Sequence, residues 1–176
     1  MPGSTTEALT QRAVRGDRAA FEALLALHGR TMLAVARARS SNSTDAEEIL
    51  QESSVRTWQN IGKINDTSRF VAWACSIVDH VARDRSRRER VREAKPLDDV
   101  SDRERGPSEA GRNAIVNAVS SLPVPLREVI ELFYFGNLTY REIADIIGKS
   151  VPTVNLRLAE ARTQLRLQLK DSPVAP

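Results

Sequence analysis

Four polar residues in the stretch TDAEEILQESSVRTW, residues 44–58, have the spacing of a single helix face. Asp45, Glu48, Gln51 and Glu52 lie three or four residues apart, which places their side chains in one row. The row is acidic, although the whole chain has a formal net charge of +3. Such a row suits electrostatic contact with a basic partner. Alternatively, it only solvates a surface helix and complements that helix's dipole.

A second stretch, RDRSRRERVR at residues 83–92, holds six arginines and only two acids. A guanidinium group binds phosphate oxygens through paired N–H donors, and each neutralised phosphate releases counterions. The stretch therefore admits nucleic acid as a partner without requiring it. The alternative is a solvated helix end, whose positive charges are favoured by the C-terminal dipole.

The segment YREIADIIGKSVPTVNLRLAEAR has the pattern of a helix-turn-helix. Small Ala144 lies four residues before Gly148, and apolar Val154 lies six residues after it. Alanine lets two helices approach closely, glycine permits the tight turn, and valine anchors the second helix on the first. Ser150 can cap that second helix and leave backbone N–H groups for a DNA phosphate. A helical hairpin without DNA contact is the alternative interpretation.

The elements before residue 94 are predicted to be helices. Two are expected within residues 7–39, separated at Gly16, with Asp17 capping the second. The acidic helix is expected to begin at Thr44, because Thr44 and Glu47 fit a capping box. Its inward side is expected to hold Ala46, Ile49, Leu50, Thr57 and Trp58. Six apolar residues at helical spacing predict a long helix: Phe70, Trp73, Ala74, Ile77, Val78 and Val81.

A linker is expected at residues 95–112, which contain two prolines, two glycines and no apolar period. Fully extended, it would reach roughly 60 Å at about 3.3–3.6 Å per residue. Beyond it, short helices are expected up to Gly136. Thr139 and Glu142 fit a second capping box, for a helix that ends at Gly148. We therefore expect an all-α chain of two small helical domains joined by a flexible linker.

Composition excludes several classes of function. Hydrophobic content of 41%, charge of 28% and aromatic content of 5% are typical of a folded helical protein. The single cysteine, Cys75, permits no internal disulfide or cysteine-rich zinc site and is expected to be buried. Two histidines, no glycine-rich phosphate loop and no metal-ligand spacing predict no metal, no cofactor and no enzymatic activity. We find no signal peptide and no run of roughly 18 apolar residues, so we expect a cytoplasmic protein without membrane insertion.

Three segments, in this order, resemble the extracytoplasmic function (ECF) group of bacterial sigma factors, within the sigma-70 family. DAEEILQESSVRTW resembles the signature of sigma region 2, and FVAWACSIVDHVARDRSRRERVR resembles the helix of regions 2.3 and 2.4. SSLPVPLREVIELFYFGNLTYREIADIIGKSVPTVNLRLAEAR resembles region 4. The resemblance implies a region 2-like domain at residues 7–94, the linker at 95–112 and a region 4-like helix-turn-helix domain at 113–170.

The resemblance also implies a transcription initiation factor that binds core RNA polymerase and directs it to specific promoters, assisting −10 melting. The expected polymerase contacts are the β′ clamp helices and the β flap. Docking on the clamp helices would use the acidic row of Asp45, Glu48, Gln51 and Glu52. An anti-sigma factor is a further expected partner.

The implied DNA contacts fall in two groups. The −10 element would be contacted by His80, Arg83, Arg87 and Arg88, and more broadly by the arginines up to Arg92. In the family, the loop matching residues 62–69 captures a flipped base. The −35 element would be contacted by Ser150, Thr153, Asn155, Leu156, Arg157 and Arg162.

This sequence departs from the family at two points that affect DNA recognition. His80 stands where the family usually has asparagine, so it is either a base contact of altered specificity or a helix-surface histidine. The recognition helix lacks a lysine and an arginine and gains Glu160, so its attraction to the −35 duplex should be weaker. Asn155 suits adenine and Leu156 a thymine methyl, or the exposed leucine meets a protein.

Three other functions are alternatives to this interpretation. A stand-alone helix-turn-helix regulator, binding an operator as a dimer, explains residues 113–168 but not the acidic helix. An enzyme acting on nucleic acid would need catalytic candidates, which the sequence lacks. A helical adaptor that binds only proteins would show no salt-dependent binding of promoter DNA.

Overall fold

Eight α-helices make up most of the part of the chain that this computed structural model describes, which is residues 2–40, 42–93 and 110–169. The first four are α1 (Pro2–Val14), α2 (Arg18–Arg39), α3 (Ser43–Asn60) and α4 (Phe70–Glu93). The last four are α5 (Ala110–Ser121), α6 (Val124–Ile130), α7 (Tyr140–Ile147) and α8 (Val151–Leu169). Those ranges contain no strand, so the all-α prediction is confirmed.

The first helical domain, α1–α4, is built around α2. The chain turns before α2 at Gly16, whose φ of +90° favours glycine. Asp17 caps α2 as predicted, since its carboxylate accepts a hydrogen bond from the Ala20 N–H at 3.1 Å. α2 packs against α1, α3 and α4. Phe21 of α2 and Trp58 of α3 have ring centroids 5.0 Å apart, so an aromatic contact joins these two helices.

By length and composition alone, α2 is apolar enough to cross a membrane. Nine of its residues are nevertheless buried inside the protein. Its contacts with three neighbouring helices are those of the central helix of a bundle.

The predicted start of α3 was wrong by two positions. The residue that caps the helix is Asn42, whose side-chain oxygen accepts a hydrogen bond from the Asp45 N–H at 2.8 Å. Thr44 therefore lies within the first turn, and its proposed capping box does not form. The predicted inward side is confirmed: Ala46, Ile49 and Thr57 are buried, and Leu50 and Trp58 pack against the core.

α4 follows its predicted apolar period. Phe70, Ala74, Val78 and Val81 are buried, and Trp73 and Ile77 pack against the same core. Between α3 and α4 the chain makes two short 3₁₀ turns, at Ile61–Lys63 and Thr67–Arg69. These turns shape the loop at 62–69.

The second helical domain, α5–α8, contains the predicted helix-turn-helix. A π-helical turn, Glu131–Phe135, continues α6 and ends at Gly136. A Cβ on Gly136 would lie 2.5 Å from the Leu132 carbonyl oxygen, so only glycine fits there. The Thr139–Glu142 capping box opens α7, and Gly148, with φ +63°, ends it.

The spacing that predicted the helix-turn-helix is confirmed by burial. Ala144 is 6% exposed and Val154 is fully buried, as close packing of α7 on α8 requires. The helix α5 begins at Ala110, three residues inside the predicted linker. Residues 94–109 of that linker region, and the tail from 170, lie outside the described residues.

Candidate functional site

The acidic row on α3 is only partly a surface. Glu48 and Gln51 are exposed, and the Glu52 side chain is 39% exposed. Asp45 was predicted to face outward, and that was wrong: it is 6% exposed. Its carboxylate accepts hydrogen bonds from Asn42 Nδ2 at 2.7 Å and from Arg85 Nη2 at 3.1 Å. Asp45 lies three residues after the cap Asn42, and its contact with Arg85 directs its carboxylate toward α4.

Two arginines join the acidic helix to the basic helix. Arg85 of α4 forms ion pairs with Asp45 and, at 2.6 Å, with Glu48. Arg56 of α3 contacts Glu52 at 2.6 Å and Asp84 of α4 at 3.2 Å. These pairs fix α3 beside α4 and neutralise part of the row. Glu48 and Glu52 nevertheless keep exposed carboxylate surface.

The predicted −10 residues on α4 share an exposed face. His80, Arg83, Arg87 and Arg88 are all exposed, and positions 80, 83 and 87 recur at helical spacing. Arg83 is paired with Asp79 at 2.7 Å but its side chain is 70% exposed. The ring Nδ1 of His80 lies 2.6 Å from the Ser76 carbonyl oxygen, which leaves the other ring nitrogen toward solvent. The side chains of Arg90 and Arg92 lie outside the described residues.

The loop at 62–69 is exposed and ordered by its own polar groups. The carboxylate of Asp66 accepts hydrogen bonds from the Ser68 hydroxyl at 2.6 Å and the Ser68 N–H at 3.0 Å. These two bonds lower the pKa of Asp66. Trp73 of α4 lines the same groove as this loop.

The start of α8 presents the predicted −35 residues unevenly. Ser150 accepts a long hydrogen bond, 3.4 Å, from the Thr153 N–H, consistent with the predicted cap. Asn155 is exposed and Leu156 is 69% exposed. Arg157 is half-buried and faces the charge of Glu128. Asn155 and Leu156 are therefore open to solvent, and Arg157 is less so.

Arg162 is held by aromatic residues of its own domain. Its Nε donates to the Tyr134 hydroxyl at 3.1 Å. Its guanidinium also lies 5.4 Å from the Phe133 ring centroid and 5.8 Å from that of Tyr134. These contacts fasten α8 to the π-helical turn.

Sequence reasoning missed a cluster between the two domains. Arg39 Nη2 donates to Glu128 Oε1 at 2.9 Å, and Arg39 Nε lies 2.7 Å from Asp79 Oδ1. Glu128 is separated from Arg39 by 89 positions, which no local pattern can reveal. One signal was available: Glu128 of α6 and Glu131 of the π-helical turn occupy buried positions beside the apolar residues Val129 and Ile130.

Comparison with known proteins identifies the chain. The family model for sigma-70 region 2 matches residues 24–92, and that for sigma-70 region 4 matches residues 112–165. RNA polymerase sigma factor NccH of Alcaligenes xylosoxydans xylosoxydans is 30% identical over 182 residues, covering 97% of this chain and 98% of that protein. The chain belongs to the sigma-70 family. ECF RNA polymerase sigma factor SigM of Mycobacterium tuberculosis is 30% identical over 155 residues, covering 86% of this chain and 78% of SigM.

A solved structure resembles this sigma factor across both of its domains. CnrH, in complex with the cytosolic domain of CnrY, aligns with a TM-score of 0.69 and 25% sequence identity. The alignment covers 96% of this chain and 99% of that one. This ECF sigma factor is a transcription initiation factor, and a stand-alone regulator is not favoured because both sigma domains are matched.

Proposed function

We propose that this sigma factor binds core RNA polymerase through the exposed acids of α3 and promoter DNA through α4 and α8. The observation that carries the proposal is the separation of charge on adjacent helices. Glu48 and Glu52 expose carboxylates on α3, while Arg83, Arg87 and Arg88 expose guanidinium groups on α4. Opposite charges on separate faces suit a protein that must hold a basic protein surface and anionic DNA at once.

Asp45 has a different role from the other three residues of the acidic row. Glu48, Gln51 and Glu52 contact the β′ clamp helices directly. Asp45, which is buried between Asn42 and Arg85, holds α3 against α4 and so positions the other three. Its effect on polymerase binding is then indirect.

The −10 contacts are assigned to His80, Arg83, Arg87 and Arg88, with the loop at 62–69 as the pocket for a flipped base. Extruding a base costs a few kcal/mol, which contacts in a fitted pocket offset. Trp73 adjoins the loop and offers an aromatic surface for stacking. This arrangement supports a role in −10 melting.

The −35 contacts are assigned to α8. Ser150 and Thr153 lie at its start, where backbone N–H groups meet phosphates, and Asn155 and Leu156 are exposed toward base edges. Arg157 and Arg162 belong to the same predicted surface. Each has an internal neighbour, Glu128 or Tyr134, so their DNA contacts require those neighbours to give way.

We also infer the domain bounds of this factor, its cellular compartment and its further partners. The matches to 24–92 and 112–165 support domains at 7–94 and 113–170 around the 95–112 linker. RNA synthesis belongs to the polymerase, so this chain acts without catalysing a reaction and without a cofactor, in the cytoplasm where the polymerase acts. CnrH is bound to the cytosolic domain of CnrY, which supports a bound protein partner for this factor too, and we assign that place to an anti-sigma factor. The β flap is a further proposed contact on the polymerase.

Polymerase binding is tested by the double variant Glu48→Lys, Glu52→Lys. Glu48 and Glu52 each form an ion pair with an arginine and are about half-exposed. Losing such a pair costs at most about 1 kcal/mol of stability, so the fold should persist. We expect affinity for core polymerase to fall at least about ten-fold, measured by titrating fluorescently labelled factor. Glu22→Lys is the matched control, because Glu22 also sits in an exposed i,i+4 arginine pair on another helix. Equal affinity for wild type and the double variant would refute the assignment.

Promoter selection at −35 is tested by Asn155→Ala. Loss of a base contact is expected to cost about 1–3 kcal/mol at one position of the −35 element. Run-off transcription with core polymerase, on templates varied through that element, measures the loss. Thr163→Ala serves as the control, since its hydroxyl only donates to the Ala159 carbonyl oxygen on the same helix. If Asn155→Ala leaves template preference unchanged, α8 does not read that position.

A further inference from the structure

The outward face of α8 is apolar over its first two turns. On the inward face, Val154 and Leu158 are fully buried and hold α8 on the rest of its domain. The opposite face carries Pro152, Leu156 and Ala159, which are spaced four and three residues apart and are all exposed. Residues at this spacing lie in one row along a helix. We call these three residues the apolar stripe.

Leu156 is the most exposed residue of the stripe by a measurable margin. Its side chain is 69% exposed, the highest value for a large apolar residue in the part of the chain that the structure describes. Val151, at the first position of α8, adds a further apolar side chain that is 40% exposed. Burying such groups against another apolar group is favourable in water. The front of α8 therefore suits a partner that presents apolar atoms.

The arginines of α8 in this part of the helix are engaged elsewhere. Arg157 is half-buried and faces the charge of Glu128. Arg162 donates a hydrogen bond to the Tyr134 hydroxyl at 3.1 Å. An arginine reads guanine through two parallel hydrogen bonds in the major groove, which needs a guanidinium group turned toward the base. The front of α8 is therefore not arranged to select guanine.

The major groove offers one apolar group for such a helix, which is the C5 methyl of thymine. α8 is the second helix of the helix-turn-helix, and Ser150 accepts a hydrogen bond from the Thr153 N–H at its start. Backbone N–H groups at a helix start bind phosphate oxygens, so the stripe is continuous with the surface proposed for DNA. Asn155, beside Leu156, is exposed and suits adenine. Adjacent residues thus fit adjacent A·T pairs.

We propose that α8 selects the −35 element through thymine C5 methyl groups, which pack against Leu156 and the rest of the apolar stripe. The methyl groups belong to A·T pairs next to the adenine that Asn155 contacts. This inference rests on the proposed placement of α8 on the −35 duplex. An apolar contact neutralises no phosphate and releases no counterions. Leu156 therefore determines which duplex is bound without affecting the salt dependence of binding.

Exchange of thymidine for deoxyuridine tests the inference, because it removes the methyl group and keeps every hydrogen-bonding group of the base. A promoter is first obtained by run-off transcription from a genomic promoter library, with the full-length factor and core polymerase. Each thymidine of its −35 region is then exchanged singly, and duplex binding by the holoenzyme is titrated in a mobility-shift assay. We expect at least one exchange to weaken binding about four-fold, roughly the effect of burying one methyl group.

Two leucine variants assign the effect to the stripe. Leu156→Ala should bind the thymidine and deoxyuridine duplexes equally, with the salt dependence of wild type. Leu156 is exposed, so its loss should leave the fold intact. Leu167→Ala is the matched control, because Leu167 is 61% exposed near the other end of the same helix. This control should keep the four-fold preference for thymidine.

Several results would overturn the inference. One is equal binding of all thymidine and deoxyuridine duplexes by the wild-type holoenzyme. Another is sensitivity to 7-deazaguanine alone, which would assign the selection to an arginine. A third is a Leu156→Ala factor that keeps the thymidine preference but loses affinity for core polymerase, because Leu156 then meets a protein.

The proposed function is scored separately, by replacing the whole −35 region of the promoter. If transcription by the wild-type holoenzyme does not change, α8 does not contact that element, and the proposed function and this inference both fail. If transcription falls but no thymidine exchange has an effect, the proposed function stands and only the methyl contact is rejected.

Discussion

Removing the Asp45 carboxylate should unfold the first domain at a lower temperature, not simply weaken polymerase binding. Asp45→Ala deletes two hydrogen bonds to a charged, 6% exposed group, from Asn42 Nδ2 and Arg85 Nη2. Each such bond contributes about 1.5–3 kcal/mol. The sum is not reached, because Arg85 keeps its contact with Glu48 at 2.6 Å. We therefore expect a loss of about 2–3 kcal/mol.

For a domain of the size of α1–α4, 1 kcal/mol corresponds to a shift of about 4–8 °C in the unfolding midpoint, so the first domain of Asp45→Ala should melt roughly 10–20 °C lower. Far-ultraviolet circular dichroism measures the midpoint. Glu52→Ala is the comparison: its partner Arg56 retains Asp84, and an exposed pair contributes at most about 1 kcal/mol. If Asp45→Ala has the same unfolding midpoint as wild type but no longer binds core polymerase, Asp45 is itself a docking residue.

Three further changes test local features. Thr139→Ala breaks the capping box of α7 and should lower the free energy of unfolding by about 1 kcal/mol in urea titrations. Burial lowers the pKa of His28 below its ordinary 6.5, so the unfolded chain binds the proton first. Unfolding free energy should therefore fall as the pH drops below about 6.5, and His28→Gln should flatten that slope. Cys75, with a thiol pKa raised to about 12, should react with maleimide only after unfolding.

For each of these three predictions, one result would contradict the reasoning. Equal stability of Thr139→Ala and wild type would mean that Glu142 or solvent replaces the cap. A wild-type slope that persists in His28→Gln would assign the titration to another group. Rapid labelling of the native protein at Cys75 would show that α4 opens locally.

The helices that follow a regular apolar period were predictable from the sequence. The long helix α4 was recognisable because Phe70, Ala74, Val78 and Val81 repeat at helical spacing, and burial on one face produces that repeat. The start of α7 was equally clear, since the Thr139–Glu142 capping box is local chemistry within four residues. Both depend only on neighbours along the chain.

What could not be predicted depends on partners distant in sequence. Asp45 has the spacing of an exposed row, yet Arg85, forty positions away, draws it inward. Asn42 and Thr44 are both good caps, and local sequence does not decide between them. The Arg39–Glu128 pair across 89 positions needs the tertiary arrangement of two domains. Only the acids at buried positions of α6 and of the π-helical turn, Glu128 and Glu131, indicated it.

The connection between the two domains has a consequence for how this factor responds to its own abundance. Partners joined by a short tether meet at an effective concentration in the millimolar range. That value does not change with the number of copies in the cell. Dilution or overproduction therefore does not change the fraction of molecules in which the Arg39–Glu128 contact between the domains is formed. A partner that binds one of the joined surfaces shifts that fraction, and it does so according to the partner's own free concentration.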